Sequence, residues 1–563
     1  MANVSFEALT ARLSRYSLLG YGSVAVALLA FASFTVAFFL PIYTDEIVWK
    51  AYQDRMWYDG FQSTGSFLTC GAHSFRTPLL LAPFRLLDTA VYEELDQPLG
   101  IRAIGVGLAL AWGFITWLLL RCSVGRTISP GTIATGVIAF STVGIMPFLL
   151  VLNRPEQVLL IAITLLTIPL LQDESPTKRS LPTEIAAALG FVFFCGYVLA
   201  AHQLGILTIP LMLLFLVRFF PRKSIVGLSA VAVVVIGVTA FLDWNRRWQC
   251  GDPSLKLTFF KDNIMFAVQS GELRHYLRMW LELLWTDFAP FSYLSEFLFK
   301  RHYTSPLLPG APDIVRISLS MGIFVLFAFI LSVGACAFGL LMRNSVRTRR
   351  GVVPLLTLGW IWGFYIFAVF ARLVRNEYQA ELIEPVMVLM ALASLWLARG
   401  LIVGRFGASR SLMVARGTFA ALIGLSILSQ LALLAIYTPY AFGSWSDPGY
   451  PSELKYSISG FGYERLRPKI LETAALCDID PNRHPQHVVV DELTYFALEP
   501  AYQPFFATYL HESNWGENIS DIRGLLDSWN SAGMIVGCQW VPHKLRSEAI
   551  ENGQFCCLRK FAR

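Results

Sequence analysis

Long apolar segments dominate this chain and exclude an ordinary water-soluble fold. Hydrophobic residues make up 55% of the 563 residues, and charged residues only 15%. A helix that crosses a bilayer needs about 20 mostly apolar residues. Segments that meet this requirement are centred near residues 30, 110, 141, 164, 192, 212, 234, 329, 362, 391 and 427. The sequence therefore predicts an all-α polytopic membrane protein with about 11 transmembrane helices.

The basic residues predict how these helices are oriented, because Lys and Arg in short loops remain on the cytoplasmic side. Every second predicted connection is short and basic. The residues that mark these connections are Arg12, Arg15, Arg121, Arg126, Lys178, Arg179, Arg218, Arg222, Lys223, Arg343, Arg347, Arg349, Arg350, Arg399, Arg405, Arg410 and Arg416. The pattern predicts an N-terminus inside and a C-terminus outside. The net charge of +6 reflects this topology, so it predicts no nucleic-acid partner.

Nearly all of the mass outside the membrane is predicted to lie on the external side. Residues 1–440 form the membrane core, with large external loops at 42–99 and 244–314, and residues 441–563 form a soluble periplasmic domain. The short apolar runs of this tail alternate with helix-like segments, which is typical of an α/β domain. The strand-like runs are 487–490 and 534–537, and the helix-like segments are 462–475 and 519–530.

On this topology, six of the nine cysteines fall outside, where disulfides persist. They are Cys70, Cys250, Cys477, Cys538, Cys556 and Cys557. Cys538 could form a local bridge with either Cys556 or Cys557, and the sequence does not choose between them. Free, buried thiols are the alternative.

Two adjacent acids, Asp45 and Glu46, stand immediately after the first apolar segment. Ionised carboxylates are costly at the mouth of a membrane helix, where water is scarce, and they therefore usually have a task. A carboxylate in such a place can take a proton from an acceptor hydroxyl. A helix N-cap is the structural alternative for Asp45. Since one acid would be enough for a cap, the pair favours a catalytic site.

A second candidate group, Arg154 and Glu156, lies in a short external loop between the third and fourth segments. Pro155 suits the first turn of a helix, and Glu156 is favourably placed at the positive end of that helix. Capping is thus one sufficient explanation. The same loop also brings a cation and an acid to the outer mouth of the first helix, if the helices pack as neighbours.

Further candidate substrate-binding residues are scattered over the external loops. Arginines outside run against the basic-inside trend, and a phosphate to bind is one reason for them. Snorkelling to lipid head groups and a structural, hydrogen-bonded histidine are the alternatives. The candidates are His73, Arg76, His202, Arg247, Arg372, Arg375 and Tyr378.

Several familiar motifs are missing from the sequence. There is no Walker loop, dinucleotide-binding fingerprint, HExxH or paired CxxC. The missing nucleotide-binding loop argues against an ATP-driven transporter. A nucleotide-sugar enzyme is also disfavoured, because its donor would be cytoplasmic while the acids are predicted outside. No cofactor is required by the sequence, and a divalent cation is left open.

The order of these features resembles the GT-C class of integral membrane glycosyltransferases. The resemblance rests on Asp45 and Glu46 after the first span, the Arg154-Pro155-Glu156 element after the third, and a soluble domain after the last. Among such enzymes, the Arg-Pro-Glu element and the tail are similar to bacterial arabinofuranosyltransferase-like members, which take sugar from a polyprenyl phosphate. The likeness covers the membrane core, about 400 residues.

The resemblance implies an inverting glycosyltransferase of the bacterial inner membrane, active in cell-envelope biogenesis. Asp45 would be the general base, and Glu46 and Glu156 would position acceptor, donor or a divalent ion. The phosphate of the donor would be bound by residues such as Arg154, His202, Arg372 and Arg375. Its partners would be a polyprenyl-phosphate-linked sugar, a glycan, glycolipid or protein acceptor, and membrane lipids. The alternative function is a secondary transporter or flippase of a lipid-linked or small anionic substrate, although transporters usually carry mid-membrane charges or inverted repeats.

Overall fold

A computed structural model defines the architecture of the protein. It describes residues 6–39, 46, 98–124, 128–142, 146–152, 154, 156–170, 180–201, 203–221, 271–286, 419–435, 463–480, 487–491, 494–498, 504–506, 531–538 and 545–559, together with isolated residues between these ranges. The first external loop lies almost wholly outside the described residues. Most of the chain between residues 222 and 415 also lies outside the described residues.

The N-terminal part of the chain is helical. Its helices are α1 (Phe6–Phe39), α2 (Arg102–Val124), α3 (Pro130–Ser141), α4 (Met146–Val151), α5 (Glu156–Leu170), α6 (Leu181–Ala201), α7 (Ile209–Phe219), α8 (Leu273–Thr286) and α9 (Phe419–Ala435). Single 3₁₀ segments, Pro98–Ile101 and Gln203–Thr208, lead into α2 and α7.

Three described helices are long and apolar enough to cross a membrane, namely Gly20–Phe39 in α1, Arg102–Cys122 in α2 and Leu181–Leu199 in α6. Shorter apolar helices are α3, α5, α7 and α9. The predicted segments centred near 30, 110, 164, 192, 212 and 427 each lie in one of these helices. The helical structure of these apolar segments is therefore confirmed, while the total of about 11 spans and the extent of the membrane core at residues 1–440 stay predictions.

The third predicted segment, centred near residue 141, is interrupted. α3 begins at the N-cap Ser129, whose hydroxyl accepts a hydrogen bond from the Thr132 amide, and it ends at Thr142. A new short helix, α4, then starts at Met146 and has Pro147 in its first turn, where proline is tolerated. The segment is thus a broken helix and not one continuous span.

Buried hydrogen bonds between side chains join the membrane helices. The Trp112 indole N–H of α2 donates to the Thr164 hydroxyl of α5 over 2.9 Å. The Thr142 and Ser426 hydroxyls lie 2.8 Å apart and connect the end of α3 to α9. In an apolar surrounding each such group needs a partner, because an unpaired buried polar group is costly. These bonds help to fix which helices are neighbours.

Among its described residues, the tail contains a five-stranded sheet and two helices. The strands are β1 (His487–Val490), β2 (Pro504–Phe506), β3 (Ser531–Gly537), β4 (Ile550–Asn552) and β5 (Phe555–Arg559), in the order β2-β1-β3-β5-β4. β1 pairs in parallel with β2 and β3, and β5 is antiparallel to β3 and β4. The helices are α10 (Tyr463–Leu476) and α11 (Tyr495–Leu498). The strand-like runs at 487–490 and 534–537 and the helix near 462–475 are confirmed, whereas 519–530 lies largely outside the described residues.

A buried carboxylate, Asp491, holds the carboxyl ends of β1 and β3 together. It accepts hydrogen bonds from the amide and hydroxyl of Thr494, both at 2.9 Å, and from the Gly537 amide at 2.7 Å. The Ile535 carbonyl lies 2.8 Å from the Thr494 hydroxyl and shares its single hydrogen with Asp491. In a parallel sheet this edge is the usual place for a ligand. Here the carboxylate of Asp491 already accepts hydrogen bonds from Thr494 and Gly537, so its role is structural.

Two disulfides join the tail internally. Cys477, after α10, is bonded to Cys557 of β5, and Cys538 is bonded to Cys556. The local bridge expected at Cys538 is therefore formed with Cys556, and Cys557 pairs elsewhere. Such bridges persist in oxidising compartments, which agrees with a tail outside the cytoplasm.

Removing the Cys477–Cys557 bridge should destabilise the tail strongly. The two residues are 80 positions apart, and the loop-entropy relation assigns a bridge of this span about 4 to 5 kcal/mol of unfolding free energy. The Cys538–Cys556 bridge, 18 positions apart, should contribute about 3 kcal/mol. We expect C477S/C557S to make the tail of the membrane-embedded protein more protease-sensitive than C538S/C556S does. The reverse order of sensitivities would contradict this account.

Candidate active site at one end of the membrane helices

Arg102, the first residue of α2, forms a buried ion pair with Glu46. Its Nε lies 3.0 Å from Glu46 Oε1, and its Nη2 lies 2.8 Å from Glu46 Oε2, so the contact is bidentate. Both side chains are 0% exposed. A planar guanidinium fork matches a carboxylate in this way, and the arrangement fixes geometry as well as charge.

The same guanidinium also binds the end of the first helix. Arg102 Nη1 donates to the carbonyls of Ala37 at 3.2 Å and of Phe38 at 2.8 Å. The last carbonyls of a helix have no partner within the helix and carry a partial negative charge, so a cation is favourable there. Arg102 therefore joins the end of α1 to Glu46, which belongs to the loop predicted to be external.

A third contact of Arg102 reaches α4. Its Cζ lies 5.4 Å from the centre of the Phe148 ring, within the range of a cation–π contact. One turn further along α2, Gly105 packs directly on the end of α4. A β-carbon added at Gly105 would lie 2.7 Å from the Leu152 carbonyl oxygen and still closer to that of Val151. The close approach of these two helices therefore requires glycine at this position.

Just after α4, Arg154 and Glu156 form a second buried ion pair. Arg154 Nη2 lies 2.7 Å from Glu156 Oε1, and Arg154 Nε lies 3.2 Å from Oε2. The exposed fractions are 6% for Arg154 and 3% for Glu156. Glu156 is the first residue of α5, where a negative charge is favourable, and the Arg154 amide donates to the Leu152 carbonyl.

These contacts place the two ion pairs at the same end of the helix bundle. Arg102 and Gly105 touch α4 at Phe148 and at the Val151–Leu152 backbone, and Arg154 follows Leu152 by only two residues. Glu46 and Glu156, which are far apart in sequence, are thus brought to one region. On the orientation predicted from the basic loops, this end is the outer one.

Two residues of this region were missed by the sequence reasoning, Arg102 and Gln157. The two N–H groups of the Gln157 side-chain amide are shared among three carbonyls, those of Leu150 at 2.9 Å, of Leu149 at 3.3 Å and of Leu152, and so cap the end of α4. The sequence does contain a hint of Arg102, because an arginine at the predicted outer start of a membrane span is an exception to the enrichment of basic residues on the cytoplasmic side. Gln157 gave no such signal beyond its place beside Glu156.

The soluble domain packs on the same end of the bundle. Ile101, directly before Arg102, is 0% exposed and belongs to one apolar cluster with core residues of the tail. The tail residues of this cluster include Ile470, Val488, Tyr495, Leu498 and Phe555. Phe38 and Phe39 at the end of α1 pack against the cluster, and the Phe39 and Phe442 rings lie 5.3 Å apart. The tail therefore packs against the end of α1 and the residue before Arg102, next to the Glu46–Arg102 pair.

The remaining predicted site residues lie outside the described part of the chain. They are Asp45, His73, Arg76, His202, Arg247, Arg372, Arg375 and Tyr378. Of the two adjacent acids, only Glu46, which follows Asp45 in the sequence, is described, and it is paired with Arg102. Their roles, and the proposed roles of Glu46, Arg154 and Glu156, stay predictions.

A metal site is not evident among the described residues. The one cluster there with three suitable side chains is Cys538, Glu551 and Cys556 in the tail. A disulfide joins its two sulfurs, so they do not serve as thiolate ligands. Glu46 and Glu156 are each paired with an arginine. A divalent ion at the candidate active site therefore stays a prediction.

Substitution of Gly105 provides a direct test of the α2–α4 contact. The G105A variant should lose about 1 to 3 kcal/mol of stability, because the added methyl group meets the backbone of Val151 and Leu152. Gly107 on the same helix has nothing within 4 Å of an added β-carbon, so G107A should be neutral or slightly stabilising. Thermal unfolding of both variants in nanodiscs checks this. Equal shifts would argue against the close approach.

Comparisons with known proteins found distant similarity in structure. No family model matches the chain, and no curated protein matches it. An oligosaccharyltransferase of Archaeoglobus fulgidus, crystallised with zinc and sulfate, matches 92% of this chain and 68% of its own, with 10% identity and a TM-score of 0.42. The same organism's AglB, in complex with an inhibitory peptide and a dolichol-phosphate, has 11% identity and a TM-score of 0.39.

ArnT from Cupriavidus metallidurans, bound to undecaprenyl phosphate, matches 96% of this chain and 98% of its own, with 13% identity and a TM-score of 0.38. At such TM-scores, we base the function on the residues of this chain alone.

Proposed function

We propose that this protein is a membrane glycosyltransferase that moves a sugar from a polyprenyl-phosphate carrier to a hydroxyl group of a periplasmic acceptor. The acceptor is a glycan, a glycolipid or a protein. The observation that carries the proposal is the meeting of two buried arginine–glutamate pairs, Glu46 with Arg102 and Glu156 with Arg154, at one end of the bundle. Ionised groups that are buried in a membrane protein mark substrate sites by default.

The first external loop supplies the base. Arg102 fixes Glu46 with two hydrogen bonds and thereby limits where the adjacent Asp45 can lie. Asp45 takes the proton of the acceptor hydroxyl, and the resulting oxygen nucleophile attacks the anomeric carbon of the sugar. A base that is held in place loses less entropy on reaching the reactive geometry.

The carrier phosphate leaves from the face of the sugar opposite to the attacking hydroxyl oxygen. The bond between the anomeric carbon and the phosphate oxygen breaks as the new glycosidic bond forms, and polyprenyl phosphate leaves with the bonding electrons. This single displacement inverts the configuration of the anomeric carbon. Arg154, oriented by Glu156, supplies positive charge against the departing phosphate, and His202, Arg372 and Arg375 are the further candidates for this role.

The packing of the soluble domain supports a role in closing the site. Ile101, Phe38 and Phe39 join it to the end of the bundle where the ion pairs lie. Exclusion of water strengthens electrostatic contacts and protects an activated sugar from hydrolysis. The domain thereby limits the acceptors to those that fit beneath or beside it.

A transfer assay with purified protein in liposomes tests the proposal. Radiolabelled polyprenyl-phosphate sugar is supplied together with cell-envelope material from a strain that lacks the protein. We expect label in a glycosidic product and release of unlabelled polyprenyl phosphate in equal amount. Movement of the labelled lipid between leaflets of sealed vesicles, without any glycosidic product, would instead favour the transporter or flippase alternative.

A further inference from the structure

The amphipathic helix α8 (Leu273–Thr286) has an apolar stripe that is partly exposed. Leu273, Leu277 and Leu281 follow one another at intervals of four residues, so they lie along one side of the helix. Their exposed fractions are 39%, 37% and 58%. Tyr276, beside this stripe, is only 3% exposed and anchors the helix to the protein.

The stripe is bordered by two arginines. Arg274 and Arg278 are also four residues apart, each directly following a leucine of the stripe, and both are exposed. His275 and Glu272 are exposed on the polar side. Along the helix, a row of leucines is thus flanked by a row of positive charge.

Over its described length, α8 is too short and too charged to meet the requirement for a helix that crosses the bilayer. Its 14 residues extend about 21 Å at 1.5 Å per residue, against a hydrocarbon thickness of about 30 Å. It also contains Arg274, Arg278 and Glu282. Exposed leucines on such a helix are unfavourable in water and favourable at the membrane boundary.

We propose that α8 lies in the headgroup layer of the membrane and binds anionic phospholipid. The leucine stripe enters the upper acyl region, and Arg274 and Arg278 contact lipid phosphates beside it. Two arginines four residues apart present their guanidinium groups to the same side, which suits neighbouring phosphates. None of the proposed catalytic residues belongs to α8, so the inference does not depend on glycosyl transfer.

Photocrosslinking in liposomes of mixed zwitterionic and anionic phospholipid tests the proposal. p-Benzoylphenylalanine replaces Leu281 in one variant and Glu272, the exposed residue directly before the helix, in the matched control. We expect lipid adducts from position 281 and few from position 272, with anionic lipid enriched about fivefold over its bulk share for each arginine at the surface. Equal lipid adducts from both positions, or adducts from position 281 to protein only, would overturn the proposal.

A second arm isolates the arginines. R274Q/R278Q in the position-281 variant should keep the lipid adducts but return the anionic fraction to its bulk share. Because both arginines are exposed, the thermal unfolding midpoint should stay unchanged. Persistent anionic enrichment would overturn the assignment of the arginines. Preferential crosslinking of added polyprenyl phosphate over phospholipid would show that the surface serves the lipid carrier and would overturn the proposed partner.

Discussion

Replacement of Asp45 by Asn is expected to lower the rate of sugar transfer by about 100- to 10,000-fold. Asparagine has nearly the shape of aspartate but cannot accept the proton of the acceptor hydroxyl. Donor binding should change little, because the phosphate is bound by cations elsewhere. The loss should therefore be seen in kcat, with a KM for the lipid-linked sugar close to that of the unchanged protein.

The control for D45N is D59N, which removes another acid of the same external loop. We expect D59N to transfer sugar at nearly the normal rate. Both variants should unfold at the same temperature as the unchanged protein, which separates catalysis from folding. Full transfer by D45N would remove Asp45 as the base and would leave Glu46 or Glu156 as the remaining candidates.

Replacement of Arg102 by Gln should be the most destabilising single change in the described membrane core that we consider. It would leave the Glu46 carboxylate buried without its cation and would remove the donor to the Ala37 and Phe38 carbonyls. Breaking a fully buried ion pair typically costs about 3 to 5 kcal/mol. We expect a clear fall in the thermal unfolding midpoint and a parallel loss of transfer activity.

Two further variants show whether the effect of R102Q comes from the unpaired Glu46 charge and whether it depends on the place of the arginine in the helix. The double variant E46Q/R102Q removes both charges, so it should recover part of the stability lost in R102Q. R121Q changes an arginine at the other end of the same helix, where the side chain is only half-buried, and should have a small effect. A similar loss for R102Q and R121Q would show that the Glu46 ion pair contributes little.

Much of the helical core could be predicted from the sequence because apolar length is a strong signal in a membrane protein. The segments that became α1, α2, α5, α6, α7 and α9 were predicted in this way. The break between α3 and α4 was not, since hydropathy averages over Thr142 and Pro147. The strands at 487–490 and 534–537 were recognisable because runs of valine and isoleucine stand out in a polar tail.

The candidate site was only partly predictable. Glu46, Arg154 and Glu156 stood out because charge is rare in this chain and these residues flank spans. Arg102, the partner of Glu46, did not stand out in this way, because it lies 56 residues away in the sequence and their pairing depends on how the chain packs. The sequence also gave no indication that Ile101 would enter the apolar core of the soluble domain.

The most direct test of the central claim is a cryo-electron microscopy structure of the protein in nanodiscs with bound polyprenyl phosphate. We predict that the Asp45 and Glu156 side chains line the same cavity and that Arg154 contacts the lipid phosphate within it. A phosphate bound at the other end of the helices, or Asp45 and Glu156 pointing into separate packed interiors, would contradict the account.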